Sequence, residues 1–135
     1  MARTTKDLMQ IGRLAERVDL SLRTVRYYEE VGLVVPSTRS KGGFRLYTTE
    51  QEARLLTIKQ MKPLGFTLDE MRVVLDALDA AASCTPGTTV ARHASSTLSD
   101  LLQQVQERRV SLADQLVRAD ALADTLSSAA RRLAR

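Results

Sequence analysis

Between Ser21 and Tyr47 the chain sets out side chains suited to gripping a polyanion. Arg23, Thr24, Arg26 and Tyr27 fall close together, and the stretch from Ser21 to Tyr28 holds no acid. Arg39, Lys41 and Arg45 follow between Pro36 and Tyr47, a second stretch without an acid. Arginine pairs bidentately with phosphate or guanine, and threonine and tyrosine hydroxyls suit phosphate oxygens. The whole chain is only mildly basic, with 20 Lys and Arg against 16 Asp and Glu and a formal charge of +4. Local clustering therefore points to nucleic acid where net charge alone would not. For Arg39, Lys41 and Arg54, a solvated side chain is an equally good reading.

The other reactive groups are few. Cys84 is the single cysteine and His93 the single histidine. A soft-metal site takes several thiolate or imidazole ligands, and a thiol switch needs a neighbouring cation that the sequence around Cys84 does not supply. Cys84 and His93 are carried as effector candidates, with a structurally neutral Cys84 preferred to a thiol or metal sensor. No paired carboxylates, phosphate loop or nucleophile elbow accompany them, so no catalytic site, metal or cofactor is expected, and the chain is not read as an enzyme.

Short helices must position the first cluster. Ile11, Leu14, Ala15 and Val18 recur at helical spacing, and Asp19-Leu20-Ser21 interrupts them. Ser21 is a natural N-cap for a second helix with Leu22, Val25 and Val31 inward, ending at Gly32. Arg23, Thr24, Arg26 and Tyr27 then share its outer face, and Tyr28 turns to the core. Leu33–Val35 and Phe44–Tyr47 read as strands of a hairpin with a basic, glycine-rich tip, which puts Arg45 and Tyr47 on one strand face toward a duplex. A third helix is expected from Thr49 to Pro63, buried through Ala53, Leu56, Ile58 and Met61, with Glu52 closing a capping box on Thr49. Thr67-Leu-Asp-Glu70 opens a fourth, with Met71, Val74, Leu75 and Leu78 inward. Ala80–Thr89 reads as a loop.

The remainder follows another rule. Leu98, Leu102, Val105, Arg109, Leu112, Leu116, Ala119, Ala123, Leu126, Ala130 and Leu133 step alternately by four and three, and all but Arg109 are apolar. That is a coiled-coil seam on a helix from about residue 91, too long to bury against so small a domain, so a homodimer is expected. Residues 1–7 are polar and expected to fray. No apolar run reaches signal-peptide length or the roughly 18 residues of a membrane span, so the expectation is a cytoplasmic protein with no membrane partner.

Five segments then speak together: Ile11-Gly-Arg-Leu-Ala15, Arg23-Thr-Val-Arg-Tyr-Tyr-Glu-Glu30, Val31-Gly-Leu33, Gly43-Phe-Arg-Leu-Tyr47 and Leu64-Gly-Phe-Thr-Leu-Asp-Glu70. In this order they resemble the DNA-binding domain of the MerR family of transcription regulators. The resemblance implies a mainly α fold: a winged helix-turn-helix over 8–78, a linker loop over 79–90, and a helix over 91–135 forming an antiparallel dimer coiled coil. It implies backbone contacts from Arg26 and Tyr27, base-edge contacts from Arg23 and Thr24, and a further cation at Lys62. Ser21, Lys41, Arg45 and Tyr47 complete the expected DNA-binding set, and Leu98, Leu102, Val105, Leu112, Leu116 and Leu126 the dimerisation set. The implied partners are double-stranded promoter DNA, a second copy of the chain and RNA polymerase, and the implied action is distortion of the promoter spacer. A DNA-architectural protein of the same fold is the competing reading. Mercury-, zinc- and copper-sensing relatives carry a ligand near the position of Cys84 but draw others from a Cys-rich loop after the coil. This sequence has no second cysteine, and its effector stays unassigned.

Overall fold

The computed structural model describes residues 8–135, so the expectation of fraying over residues 1–7 lies outside the described residues. The chain divides into two compact units, one running through Ser83 and one from Cys84 to Arg135.

In the first unit, α1 (Ile11–Val18) buries Leu14, Ala15 and Val18 and stops where Asp19 enters the left-handed region at φ 53°. Ser21 then adopts an extended backbone, and its Oγ accepts from the Thr24 N–H at 3.1 Å, opening α2 (Leu22–Glu30). This helix buries Val25 and Tyr28. Leu22, expected inward, is instead exposed at the first position of α2, just after the turn from α1. Gly32, at φ +82°, lets the chain leave α2 sharply.

At both helix ends, distant cations add to the local backbone caps. Lys59 Nζ donates to the Val18 carbonyl at 3.0 Å, and an Arg72 Nη2 N–H donates to the Val31 carbonyl at 2.8 Å. Terminal carbonyls carry the negative end of the helix dipole, so these cations satisfy both the hydrogen bond and the field.

A two-stranded antiparallel hairpin follows, β1 (Thr38–Arg39) on β2 (Arg45–Leu46), with Thr38 opposite Leu46 and Arg39 opposite Arg45. The first strand thus lies later than Leu33–Val35. Leu33 and Val34 are buried in the core and reach it through a turn after α2, which uses them for packing instead of pairing.

Helix α3 (Thr49–Met61) begins one residue earlier in its capping than the sequence suggested. Thr48 is the cap, and Gln51, not Glu52, closes the box: its Oε1 accepts from the Thr48 N–H at 2.7 Å and from the Ser37 hydroxyl at 2.9 Å. Ile58 and Met61 are buried as expected, together with Gln51 and Leu55, while Ala53 and Leu56 are exposed. A tight turn over Lys62–Leu64 and Gly65 lead to α4 (Leu68–Ser83). There the expected reciprocal cap is present, Glu70 N–H to Thr67 Oγ1 at 3.1 Å and Thr67 N–H to Glu70 Oε1 at 3.0 Å. Met71, Leu75 and Ala77 are buried and Leu78 is exposed. The helix continues through Ala80, Ala81 and Ala82, where a loop was expected, because alanine is the best helix former and nothing breaks the run before the Pro86-Gly87 pair. Leu14, Val18, Val25, Leu33, Val34, Tyr47, Leu55, Ile58 and Leu75 form the fully enclosed centre of this unit.

The second unit is dominated by α5 (Thr89–Leu133), 45 residues capped by Thr88, whose Oγ1 accepts from the Ala91 N–H at 3.1 Å. At about 1.5 Å per residue it is roughly 65 Å long. Ala94 is its single buried residue. Along the expected seam, Leu98 and Val105 are half-buried, while Leu102, Leu112, Leu116 and Leu126 are exposed.

Candidate nucleic-acid interface

Helix α2 offers Arg23, Arg26 and Tyr27 to solvent, while Val25 and Tyr28 fix its other side in the core. The Tyr27 and Tyr28 rings lie 5.5 Å apart, tilted, so the exposed tyrosine leans on the buried one. Burial, with a smaller contribution from Tyr27, raises the Tyr28 phenol above its ordinary range. Thr24 is half-buried, and its hydroxyl lies 2.8 Å from that of Ser21. The two hydroxyls hold the first turn of α2 together and leave it presented as a unit.

The wing reaches its tip through a turn closed by the Gly43 N–H on the Ser40 carbonyl at 2.9 Å, with Gly43 at φ +83°. The Ser40 side chain also accepts from the Phe44 N–H at 3.1 Å. This turn leaves Lys41 exposed at the apex, and Phe44 beside it. At the wing base the Arg45 guanidinium is half-exposed, and it lines a cleft of about 340 Å³ with Arg26, Gln10, Ile11, Phe44 and Tyr47. Two arginines from separate elements thus open on one hollow.

Tyr47 departs from the expectation of a duplex-facing residue. It is fully buried, and its hydroxyl donates to Glu29 Oε2. The expected strand alternation holds, since Arg45 and Tyr47 both reach the Glu29 carboxylate and line one cleft, while the Tyr47 backbone bridges Met9 with N–H to carbonyl distances of 2.8 and 2.7 Å. Burial foremost, then the hydrogen bond to Glu29, raise the phenol far above its usual range, and its hydroxyl is committed to Glu29 in this structure.

Glu29 itself escaped the sequence reading. Its side chain is only 9% exposed and accepts from Arg45 Nη1 as well as from Tyr47. The available signal was a pair of acids, Glu29 and Glu30, in the last turn of α2, at the end where the dipole disfavours them.

The remaining cations sort themselves by partner. Arg17 pairs with Glu52 at 3.1 Å, and Arg54 reaches Asp79 at 2.7 Å and the Leu33 carbonyl at 3.0 Å. Arg54 is therefore an internal tie between α3, α4 and the segment after α2, not a free surface cation. Arg23, Arg26, Lys41 and Lys62 are exposed and have no ion-pair partner among the described residues. Arg39 makes one long contact, 3.4 Å, to the Gly43 carbonyl. Cys84 is a free, half-buried thiol and His93 is exposed. Among the described residues no group of three or more His, Cys, Asp or Glu stands together. No helix of the described residues is long and apolar enough to cross a membrane.

Residues 9–78 match the family described as MerR HTH family regulatory protein. The chain is 40% identical over 70 residues to a mercuric resistance operon regulatory protein of Bacillus cereus, an alignment covering 52% of this chain and 53% of that one. It is 35% identical over 117 residues to a nodulation protein of Bradyrhizobium elkanii, covering 87% of this chain and 44% of that one. A transcription regulator of Ralstonia metallidurans, solved in complex with lead(II), superposes with a TM-score of 0.53 at 33% identity, covering 77% of each chain. The chain spans about half the length of the curated relatives it matches.

Proposed function

Because this chain belongs to the MerR family of helix-turn-helix regulators, we propose that it is a dimeric, sequence-specific regulator of transcription acting on promoter DNA. In this reading, residues 8–78 carry the DNA-binding surface and residues 91–135 the dimerisation helix, paired antiparallel as in the family. The observation that carries the reading is the shared cleft of Arg26 and Arg45, set among exposed cations that no internal acid neutralises. Arg23 and Thr24, one turn earlier on α2, approach base edges, while Arg26, Tyr27, Arg45, Lys41 and Lys62 hold phosphates. Ser21 supports the turn that presents them. Two copies held at a fixed spacing read a palindrome, and the complex bends and untwists the spacer so that RNA polymerase meets both promoter elements in phase. The homologues are transcription regulators and not enzymes, and the surface described is suited to binding rather than to covalent chemistry.

Footprinting across the genome tests this reading against an architectural role. Protection of one or a few promoter palindromes is the expected result. Dispersed protection at many sites of unrelated sequence would replace the regulator with a DNA-organising protein.

Cys84 is proposed to have no metal-sensing role. The regulator from Ralstonia metallidurans was solved with lead(II), but metal affinity comes from several preorganised donors, and one half-buried thiol with an exposed imidazole is a poor set. Titrating the reduced protein with zinc, copper(I) and mercury(II) is expected to give no stoichiometric, tight site that depends on Cys84. Binding that changes promoter output and vanishes in Cys84→Ser would make the protein a metal sensor.

A further inference from the structure

We propose that Glu29 is the positioning residue for Arg45, locking the wing arginine against the recognition helix so that its remaining N–H groups face the cleft shared with Arg26. The inference rests on the reading above, in which α2 and the wing hold DNA. Glu29 Oε1 accepts from Arg45 Nη1, and Glu29 Oε2 accepts from the Tyr47 hydroxyl, so both carboxylate oxygens are committed. Tyr47 is fixed in turn, because its ring is buried and its backbone bridges Met9. The anchor is therefore rigid at every joint. Arg45 is held through Glu29 and Tyr47, yet its side chain is 54% exposed and lines the cleft with Arg26.

Glu29 gives the buried Tyr47 hydroxyl its acceptor, but its placement carries two costs. An acid in the last turn of α2 opposes the helix dipole, and a carboxylate beside a phosphate-binding cleft repels the ligand. Set against both costs is the conformational freedom of an arginine side chain, which must otherwise be lost when DNA binds. Glu29 removes it beforehand.

Two roles of Glu29 predict effects of opposite sign. If it merely masks a positive charge, Glu29→Gln adds one unit of local charge and should tighten DNA binding with a steeper salt dependence. If it positions Arg45, Glu29→Gln should weaken palindrome binding by about three- to tenfold per subunit, the ordering cost of one long side chain, in spite of the added charge. Arg45→Ala should then cost much less in the Glu29→Gln background than in the wild type, since the two act as a unit. Binding is measured by fluorescence anisotropy on a palindromic duplex, with thermal melting to establish that the variants are folded. Tighter binding by folded Glu29→Gln, or the same cost for Arg45→Ala in both backgrounds, overturns the positioning role. Should Glu29→Gln fail to fold, Tyr47→Phe decides: it leaves the charge unchanged and loosens the anchor, so weaker binding supports the role and unchanged binding overturns it. Wild-type protein that binds no duplex would instead defeat the proposed function itself.

Discussion

Replacing Leu112 and Leu116 together with glutamate is expected to turn a dimer into a monomer and to lower affinity for the palindrome by at least about a hundredfold. Both leucines lie on α5, exposed along the stripe that alternates by four and three residues from Leu98 to Leu133. Each glutamate would place a charge in an apolar seam, where it must be desolvated without a partner. A helix of this length with so little of its surface buried also has few tertiary contacts to hold it, and isolated helices in water are marginal. Loss of the partner should therefore lower helicity as well as mass, visible by circular dichroism alongside sedimentation. The affinity loss arises because a monomer engages one half-site, whereas a dimer engages the second at a high effective concentration. A single-half-site duplex should consequently show little difference between the variant and the wild type. Wild-type protein that sediments as a monomer yet binds the palindrome tightly would defeat the coiled-coil assignment.

The α5 stripe was fully legible in the sequence because a 3.5-residue repeat is a property of the chain alone, independent of any tertiary contact. The same holds for α1 and α2, whose boundaries follow from local signals: Asp19 and Gly32 in left-handed conformations and Ser21 as a cap. The errors fall where two signals competed. Thr48 and Thr49 are both plausible caps, and Gln51 and Glu52 both plausible closers. Only the contact of Gln51 with Ser37, fourteen residues away, decides between them. Leu55 takes the core place expected for Leu56, while Ile58 and Met61 keep theirs. Similarly, Tyr47 shares a strand face with Arg45 as alternation predicts, but that face packs on Glu29 and leaves the tyrosine buried. Long-range partners also explain Glu29, Arg54, Lys59 and Arg72, each a charged residue whose role is set by a group far along the chain. The cations proposed to bind DNA were easier to pick out than those paired within the protein, because Arg23 and Arg26 cluster on one short helix while the internal pairs join residues far apart in sequence.

Arg26→Ala is expected to weaken binding to every duplex, palindromic or not, by about ten- to a hundredfold, the range for a lost charge-assisted hydrogen bond. The logarithmic salt slope should flatten by about one ion per lost phosphate contact, hence about two per dimer. Arg26 is exposed, unpaired among the described residues, and shares its cleft with Arg45, so no internal acid is left uncompensated by its removal. Arg45→Ala should flatten the slope similarly, with Glu29 losing its counter-charge in addition. Arg23 stands nearer the start of α2, where a side chain entering the major groove meets base edges. Arg23→Ala should therefore cost about 1–3 kcal/mol of discrimination at one position in each half-site while leaving non-specific affinity close to that of the wild type. The measurement is a binding isotherm series over salt concentration, repeated on the palindrome, on singly substituted palindromes and on an unrelated duplex. A phosphate contact and a base contact differ in both readouts, so each arginine is assigned twice. Equal losses for all three variants, with salt slopes unchanged, would mean that these side chains support the fold of α2 and the wing and do not touch DNA.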